Sequence, residues 1–427
     1  MVHGSRGVGV RVHRPRHRPI HLEGDNLRSS VVVVSFQPSK WLGQCLESVV
    51  GQADEVILVD NGSEGGSVAS YERNGVRVVR LAENAGFAGG VNAGVAAARG
   101  DIVALLNDDA LACPGWLEAS ARVLETGDVA AVAPKILLAH RFGEVVLEDE
   151  EYFAAGDTRA LGRRLSSATL DGHDVLASLL GPGVHRLEQR GDERWRWTAG
   201  PRHFYVPIPE LDEPGGRASP DAPKLELNGE PAPLRRVVEL VNSAGAYLRS
   251  DGYAGDCGAD LPDDERWSLP RECFAAPGTA LVTTASVLER VGPLEGSFFA
   301  YYEDIDWCWR ARLQGYRIMY EPASTLRHVR GQTSGGTLAA RTRFLAERNR
   351  ILTLARCGPL RLAFGEARKK WSGGGDDGVA GVLPRAFPAA LAQRVRLRRR
   401  WALASREVYH RWAGADLPDE QAATRAR

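Results

Sequence analysis

The chain lacks the cysteine pattern of a disulfide-stapled or zinc-binding protein. Its 427 residues include only six cysteines, and no two of them form a C-x-x-C pair. Cysteines scattered in this way argue against a disulfide framework or a structural zinc site, and they fit a reducing compartment. We therefore expect a cytoplasmic protein.

Long apolar runs and a net charge are also missing. No segment approaches the roughly 18 apolar residues that a membrane-spanning helix needs. The first 28 residues are rich in Arg, His and Gly but have no apolar signal core, so we expect a disordered leader. The 54 basic side chains balance 54 acidic ones, so overall charge gives nucleic-acid binding no support.

Short apolar runs alternate with helical segments in the first third of the chain. The runs predict strands at residues 31–36, 56–59, 76–81, 102–106 and 129–133. Between them, residues 41–50 and 88–98 have helical character, and Pro114 occupies a favoured first-turn position of a third helix. This alternation predicts a mainly parallel sheet that is covered by helices on both faces.

The regular pattern stops near residue 140 and returns near residue 278. The intervening residues are rich in charge, Gly and Pro, with short alternating segments that predict an inserted β-rich module. Strands are then expected at 278–283 and 316–321, and helices at 285–291, 304–314 and 338–355. Residues 373–378 are glycine-rich and predict a flexible linker.

The segment 393–412 is strongly basic and carries apolar residues on one helical face. Its seven arginines are interleaved with Leu397, Trp401, Val408 and Trp412. Two interpretations are open. The face inserts into an anionic membrane surface, or it packs on the rest of the protein or on a second subunit while the arginines remain in water.

Two segments of the first third have the chemistry of a nucleotide site. Asp60 ends the second strand, where open α/β sheets bind ligands, although Asp-Asn-Gly-Ser is also turn sequence. The glycine-rich segment 84–94 permits close approach of the backbone to a diphosphate, and it is otherwise a simple turn. Its spacing is not G-x-G-x-x-G, so a dinucleotide site has little support.

Two acidic clusters complete the set of candidate site residues. Asn107-Asp108-Asp109 follows the fourth strand and either holds a divalent cation on substrate phosphates or caps a helix. Glu303-Asp304-Ile305-Asp306 begins a predicted helix, whose dipole favours acids. Because these acids follow an aromatic stretch, we expect them to be buried, and burial of several carboxylates needs a reason such as a metal or a substrate. His328 is either a metal ligand or a structural histidine.

Taken in order, six segments of the chain resemble those of inverting family-2 glycosyltransferases with the GT-A fold. The closest likeness is to the rhamnosyltransferase-like and galactofuranosyltransferase-like branch. Each segment alone is weak evidence, but the ordered set is specific. The segments are Val59–Ser63, Asn84–Gly94, Leu106–Ala110, Gly278 with Leu281, Phe299–Asp306, and Pro322–His328.

On the donor side, the resemblance implies five contacts with a nucleotide-diphosphate sugar. Asp60 would bind the base or the ribose. Asn84, Gly86 and Asn92 would line the nucleotide pocket. Asp108 would lie beside the donor phosphates.

The resemblance also implies a metal site and a catalytic base. Asp109 would hold Mn²⁺ or Mg²⁺ between the donor phosphates, and His328 would complete the metal shell. Asp304 would deprotonate the acceptor hydroxyl. Glu303 and Asp306 would contact the acceptor or support the base.

The implied fold is α/β, a GT-A domain with helices on both faces of its sheet, an inserted β-rich module and a helical C-terminal tail. The expected divisions are a leader (1–28), a donor half (29–139), the module (140–240), a catalytic half (241–356) and a basic tail (357–427). The aromatic residues of the module either stack on sugar rings or form its own core. They are Trp195, Trp197, Phe204 and Tyr205.

The implied function is transfer of a hexosyl or deoxyhexosyl group, with inversion, to a hydroxyl of a glycan or lipid-linked glycan in cell-envelope polysaccharide synthesis. The alternatives are a degenerate sugar-binding or scaffold protein, and a nucleotidyltransferase. The segment 84–94 has no basic residue for a triphosphate, which argues against the latter. Intact Asp109 and Asp304 argue against a degenerate site. No Gln-x-x-Arg-Trp motif of a processive synthase is present.

Overall fold

The computed structural model describes residues 27–414 except residues 65–67, 74, 149, 155, 158, 200–202, 209–222, 331–336 and 374–377. Nearly all of the predicted leader and most of the predicted 373–378 linker therefore lie outside the described residues. No helix in the described part is long and apolar enough to cross a membrane.

The strands of the described residues are numbered in chain order. They are β1 (Ser29–Ser35), β2 (Glu55–Asp60), β3 (Val76–Arg80), β4 (Ile102–Asn107), β5 (Ala110–Ala112), β6 (Val129–Val146), β7 (Tyr152–Phe153), β8 (Ala160–Leu161), β9 (Arg164–Leu165), β10 (Ala168–Leu170), β11 (His173–Asp174), β12 (Glu188–Arg190), β13 (Glu193–Trp197), β14 (His203–Ile208), β15 (Leu225–Leu227), β16 (Glu230–Ala232), β17 (Arg236–Ser243), β18 (Ala246–Leu248), β19 (Ala254–Asp256), β20 (Arg271–Glu272), β21 (Ala280–Thr284) and β22 (Arg317–His328).

The helices are numbered in the same way. They are α1 (Leu42–Val49), α2 (Gly86–Ala97), α3 (Trp116–Leu124), α4 (Ala285–Val291), α5 (Glu303–Leu313), α6 (Thr337–Arg356), α7 (Leu360–Gly373), α8 (Val379–Leu397) and α9 (Ser405–Trp412). Short 3₁₀ turns connect several of them, including one at Arg398–Arg400.

The first four strands form a parallel sheet in the order β3-β2-β1-β4. Successive residues of β1 face opposite cores, because a strand alternates its side chains. Val31 and Val33 pack in the core that α1 and α3 cover, whereas Val32 and Val34 pack in the core that α2 covers. The strands and helices predicted for this part are confirmed, except that α3 begins two residues after Pro114.

The rest of the central sheet is mixed, so the prediction of a mainly parallel sheet is wrong beyond β4. The order continues β4-β21-β6-β22-β20, with β21 antiparallel to both β4 and β6. The insertion returns the chain to the carboxyl end of β4, and β21 runs back from there. β6 and β22 also continue well past their predicted ends and pair in parallel, with register shifts.

The inserted module is hydrogen-bonded to the central sheet through two of its strands. Its strands β14 and β17 both pair antiparallel with the outer half of β6. Residue 140 lies inside β6 and residue 240 lies inside β17, so neither predicted boundary falls between two elements. The division of the chain at these residues stays a prediction. Phe204 and Tyr205 are buried in the core, which excludes them from stacking on sugars, whereas Trp195 and Trp197 are partly exposed.

The C-terminal region is helical, but residues 393–412 are not one helix. Helix α8 ends at Leu397, and α9 begins at Ser405. Val408 and Trp412 are buried, and the Arg312 guanidinium lies 3.8 Å from the centre of the Trp412 ring. The membrane interpretation of this face is therefore wrong for Val408 and Trp412, because both belong to the protein core.

Candidate active site

The two acidic clusters meet at the carboxyl end of β4. Asn107, the last residue of β4, donates its backbone N–H to the Thr279 carbonyl (3.0 Å). The neighbouring Gly278 donates its own N–H to Oδ2 of Asp304 (2.7 Å). The two residues that precede β21 thus link the cluster 107–109 to the carboxylate of Asp304.

Asp109 and His328 form a direct contact between the two halves. His328 lies opposite Ala110 in the β5–β22 pair, and its Nε2 is 3.1 Å from Oδ1 of Asp109. Its Nδ1 is 2.7 Å from Oδ1 of Asn242, at the end of β17. Both side chains of the pair are mostly buried, at 13% and 15% exposure.

The donor chemistry of this pair fits a divalent cation. If the Asn242 oxygen accepts the Nδ1–H of His328, Nε2 carries a lone pair that faces a carboxylate, and a cation between them satisfies both groups. Among the described residues, no three His, Cys, Asp or Glu side chains form a metal-binding group. Further ligands would therefore come from substrate phosphate oxygens and water.

Asp108 is held by the end of the neighbouring strand. Ser35, which ends β1, donates its hydroxyl to Oδ2 of Asp108 (2.7 Å), and Ser39 donates to the Asp108 carbonyl (3.2 Å). Burial raises the pKa of Asp108, and the charge of Asp109 adds to the effect. Asp108 therefore fixes the loop that presents Asp109.

Side-chain and backbone amides form a hydrogen-bond network between the end of β2 and the start of the glycine-rich segment 84–94. Oδ1 of Asp60 accepts the Ser63 N–H (3.0 Å), which is the turn contact that its sequence allows; a ligand role for Asp60 stays a prediction. Asn84 accepts hydrogen bonds from the Gly86 N–H (2.9 Å) and from the Asn61 amide (3.2 Å). Asn61 also accepts the Ala85 N–H (3.0 Å), so it shapes the loop although the sequence did not single it out.

Gly86 brings the glycine-rich segment 84–94 against Phe299, in the segment that precedes Asp304. Its φ is +74°, and an added Cβ would lie 2.3 Å from the Phe299 carbonyl oxygen. The same oxygen accepts the Ala88 N–H (3.1 Å). Only glycine permits this backbone approach at position 86.

The side chain of Asn92 is bound to the backbone of Leu294. Its amide nitrogen donates to the Leu294 carbonyl (2.9 Å), and its oxygen accepts the Leu294 N–H (3.0 Å). This reciprocal pair ties α2 to the loop after α4. This contact gives Asn92 a packing role, and its contact with the nucleotide stays a prediction.

The segment before Asp304 has an unusual backbone. Phe299, Tyr301 and Tyr302 have φ values of 68°, 70° and 70°, which side-chain-bearing residues rarely adopt. Asn349 of α6 holds them: its amide nitrogen lies within 3.0 Å of the carbonyl oxygens of Phe298, Ala300 and Tyr301. Asn349 is fully buried. No local sequence pattern indicates this role, because the contact depends on the tertiary fold.

Asp304 is partly exposed and fixed by two backbone donors. Oδ2 accepts the Gly278 N–H and Oδ1 accepts the Ile305 N–H, both at 2.7 Å. Burial raises the pKa of Asp304 to about 6, and the charge of Asp256, at the end of β19, contributes. A carboxylate with this pKa is ionised at neutral pH and can accept a proton.

Glu303 and Asp306 differ from Asp304 in burial, and they differ from each other in the direction in which their pKa is shifted. Glu303 is buried, and burial followed by the Asp304 charge raises its pKa well above the usual value. Asp306 has no exposed surface. Although burial opposes ionisation, Arg356 and Arg310 hold the pKa of Asp306 below its ordinary value, with contacts of 2.6 and 2.8 Å. Asp306 cannot touch an acceptor, so only the supporting role is open to it.

A protein-family model matches a segment in about the first third of the chain. The model of the family Glycosyl transferase family 2 matches residues 30–145. Together with the mixed sheet and its covering helices, this match confirms the predicted GT-A-like α/β fold. The matched segment includes Asp60 and Asp109 but ends well before Asp304 and His328.

Curated relatives match over part of the chain. The uncharacterized glycosyltransferase YwdF of Bacillus subtilis (strain 168) is 30% identical over 156 residues, which cover 35% of this chain and 53% of that protein. The low-salt glycan biosynthesis hexosyltransferase Agl10 of Haloferax volcanii is 44% identical over 92 residues, which cover 22% of this chain and 27% of that protein. The chain thus spans about half or less of these relatives.

Solved structures align over more of the chain but at lower identity. GalNAc-T7 with UDP, GalNAc and Mn²⁺ is 11% identical, with a TM-score of 0.49, and the alignment covers 88% of this chain and 57% of that one. The mannosyltransferase PcManGT from Pyrobaculum calidifontis, in complex with GDP-Man and Mn²⁺, is 12% identical, with a TM-score of 0.40 and coverages of 90% and 88%.

Proposed function

Because residues 30–145 match the family 2 glycosyltransferases, we propose that the chain transfers a sugar from a nucleotide-diphosphate donor to a hydroxyl group. The observation that carries the proposal is the contact between Asp109 and His328. These residues come from opposite halves of the chain, and the sequence predicted each of them as a metal ligand. Their convergence at a strand end is what a metal–diphosphate site requires.

The donor side holds the nucleotide through the strand ends and the glycine-rich loop. Asp60 offers a carboxylate to the base or ribose at the end of β2. The Asn84 and Gly86 turn presents backbone close to the start of α2, where a helix N-terminus favours anionic groups. Asp109 and His328 would hold the Mn²⁺ or Mg²⁺, and the bound cation would offset charge on the leaving diphosphate.

Asp304 acts as the base in this proposal. Its two backbone hydrogen bonds fix the carboxylate, and enough of the side chain is exposed to reach an acceptor hydroxyl. It takes the proton as the hydroxyl oxygen attacks the anomeric carbon on the face opposite the leaving group. A single displacement of this kind inverts the anomeric configuration.

The finer assignments follow from the same chemistry and from the family likeness. We infer that Mn²⁺ serves better than Mg²⁺, because an imidazole ligand suits the softer ion. The acceptor is a glycan or a lipid-linked glycan in cell-envelope polysaccharide synthesis, at the cytoplasmic side of the membrane. Rhamnosyl and galactofuranosyl donors are the first to test.

A donor screen tests the proposal directly. UDP-, dTDP- and GDP-sugars are compared by calorimetry with Mn²⁺, with Mg²⁺ and in EDTA. We expect Asp109→Ala to weaken binding of the active donor in Mn²⁺ and to change little in EDTA. Asp128→Ala is the matched control, since the half-buried Asp128 lies away from the site and, among the described residues, contacts only Arg317 and Thr126 through its side chain. Equal losses for Asp109→Ala in both conditions would mean that Asp109 is structural.

A further inference from the structure

The C-terminal helices carry a positive charge that the neutral chain as a whole does not have. Residues 360–400 include ten Arg or Lys and three acids, so their formal net charge is ten minus three, or +7. Glu366 is one of these acids, and it is buried against Arg350. The other two, Asp376 and Asp377, lie outside the described residues. The described exposed faces of α7 and α8 therefore present bases without acids.

Helix α7 also exposes an apolar line of side chains, which we call the aromatic strip. It consists of the rings of Phe364 and Trp371 and, at its start, the aliphatic Leu360. These side chains are 41%, 49% and 48% exposed. Their spacing of i, i+4 and i+11 places them on one line along the helix, over about 16 Å. Arg361 and Arg368 are exposed beside this line, and neither has an acidic partner among the residues described.

The strip is held rigidly from beneath. Glu366 pairs with Arg350 (2.9 Å) and Lys370 pairs with Glu347 (3.1 Å), which fixes α7 on α6. The rings of Phe364 and Trp371 contact the buried Phe387 of α8, at 5.2 and 6.4 Å between centroids. The strip is therefore a preformed surface.

The contact between α7 and α6 brings the Trp371 end of the strip toward the segment that precedes Asp304. Lys370, next to Trp371, contacts the middle of α6 at Glu347. Five residues earlier on α6, the Thr342 hydroxyl is 3.1 Å from the hydroxyl of Tyr301, in the segment that precedes Asp304. The Trp371 end of α7 thus lies toward the part of α6 that supports the catalytic segment.

We propose that the aromatic strip and its flanking arginines dock on an anionic lipid bilayer. Trp and Phe favour the boundary between headgroups and acyl chains, and arginine attracts anionic headgroups. A second copy of the chain is a poorer occupant, because a symmetric contact would bring two positive faces together. The proposal goes beyond the sugar transfer inferred above, and it moves the membrane contact from residues 393–412 to α7.

Co-sedimentation of the full-length protein with vesicles tests the proposal without any donor or acceptor. We expect binding to mixed phosphatidylcholine–phosphatidylglycerol vesicles, weaker binding in high salt, and little binding to pure phosphatidylcholine. The double variants Phe364→Ser/Trp371→Ser and Arg361→Gln/Arg368→Gln should each lower the partition by about 10-fold or more. Leu269→Ser (Leu269 is 72% exposed) and Arg190→Gln are the matched controls.

Melting temperatures and light scattering accompany the vesicle assay. Equal sedimentation of the wild type and both double variants would overturn the proposal, as would no binding of the wild type to anionic vesicles at low salt. A wild-type dimer that Phe364→Ser/Trp371→Ser converts to a monomer would assign the strip to a second copy instead. None of these results bears on donor binding, so this proposal and the proposed function fail separately.

Discussion

Replacing Asp304 by Asn separates the proposed base from its structural surroundings. The amide keeps the shape of the carboxylate but cannot take a proton from the acceptor. We expect kcat to fall by about 10²-fold or more, while donor affinity changes little. One of the two backbone N–H bonds to the side chain is lost as well, because Asn has one oxygen, and this costs about 1–3 kcal/mol of stability.

The pH dependence gives a second, independent measure of the same residue. Burial and the charge of Asp256 raise the pKa of Asp304 to about 6. The carboxylate is ionised above this pH and protonated below it. At about pH 5 roughly one-tenth is ionised, so wild-type kcat/KM should be about 10-fold below its plateau.

The assay follows release of the nucleoside diphosphate at saturating metal, from about pH 5 to pH 8, for wild type and Asp304→Asn. Melting temperature and donor affinity are recorded for both proteins. Wild-type activity that is flat across this range, or a variant that keeps more than a tenth of wild-type kcat, would refute the assignment. Because Asp306 is fully buried between arginines, it would not be the replacement candidate.

Three further substitutions test how the site is held. Asp306→Asn should lower the free energy of unfolding by about 3–5 kcal/mol in urea titrations, because Arg310 and Arg356 lose their buried partner. Gly86→Ala should reduce both donor affinity and melting temperature, since its Cβ meets the Phe299 carbonyl, whereas Gly296→Ala has open space and should do neither. Asn349→Leu should lower kcat while the donor dissociation constant stays constant; an unchanged kcat would show that the strained segment needs no such support.

The parts that the sequence predicted well are those specified by local pattern. Alternating apolar runs predicted β1 to β4 and the helices around them, because a strand buried on both faces has a distinctive composition. The acids at 109 and 304 were recognisable because each follows a buried or aromatic stretch. These features depend on neighbouring residues, so they can be read along the chain.

The parts that the sequence missed depend on tertiary pairing. Nothing near Asn242 or Asn349 predicts that one would orient His328 and the other would hold the Phe298–Tyr301 carbonyls. The extension of β6 beyond residue 133 also depends on partners supplied much later in the chain. Asn92 is a different case. Its position in the glycine-rich segment suggests a ligand residue, whereas in the structure its side chain binds the backbone of Leu294.

The length of β6 has a consequence for how this protein can vary. The first half of the strand pairs with β21 and β22, whereas residues 141–146 pair with β14 on one side and residues 141–144 also pair with β17 on the other. Deleting residues 147–240 alone would remove β14 and the part of β17 that pairs with residues 141–144. The outer end of β6 would then have open backbone on both edges, which invites aggregation. The insertion therefore cannot be shortened to the end of β6 in the way that a surface loop can.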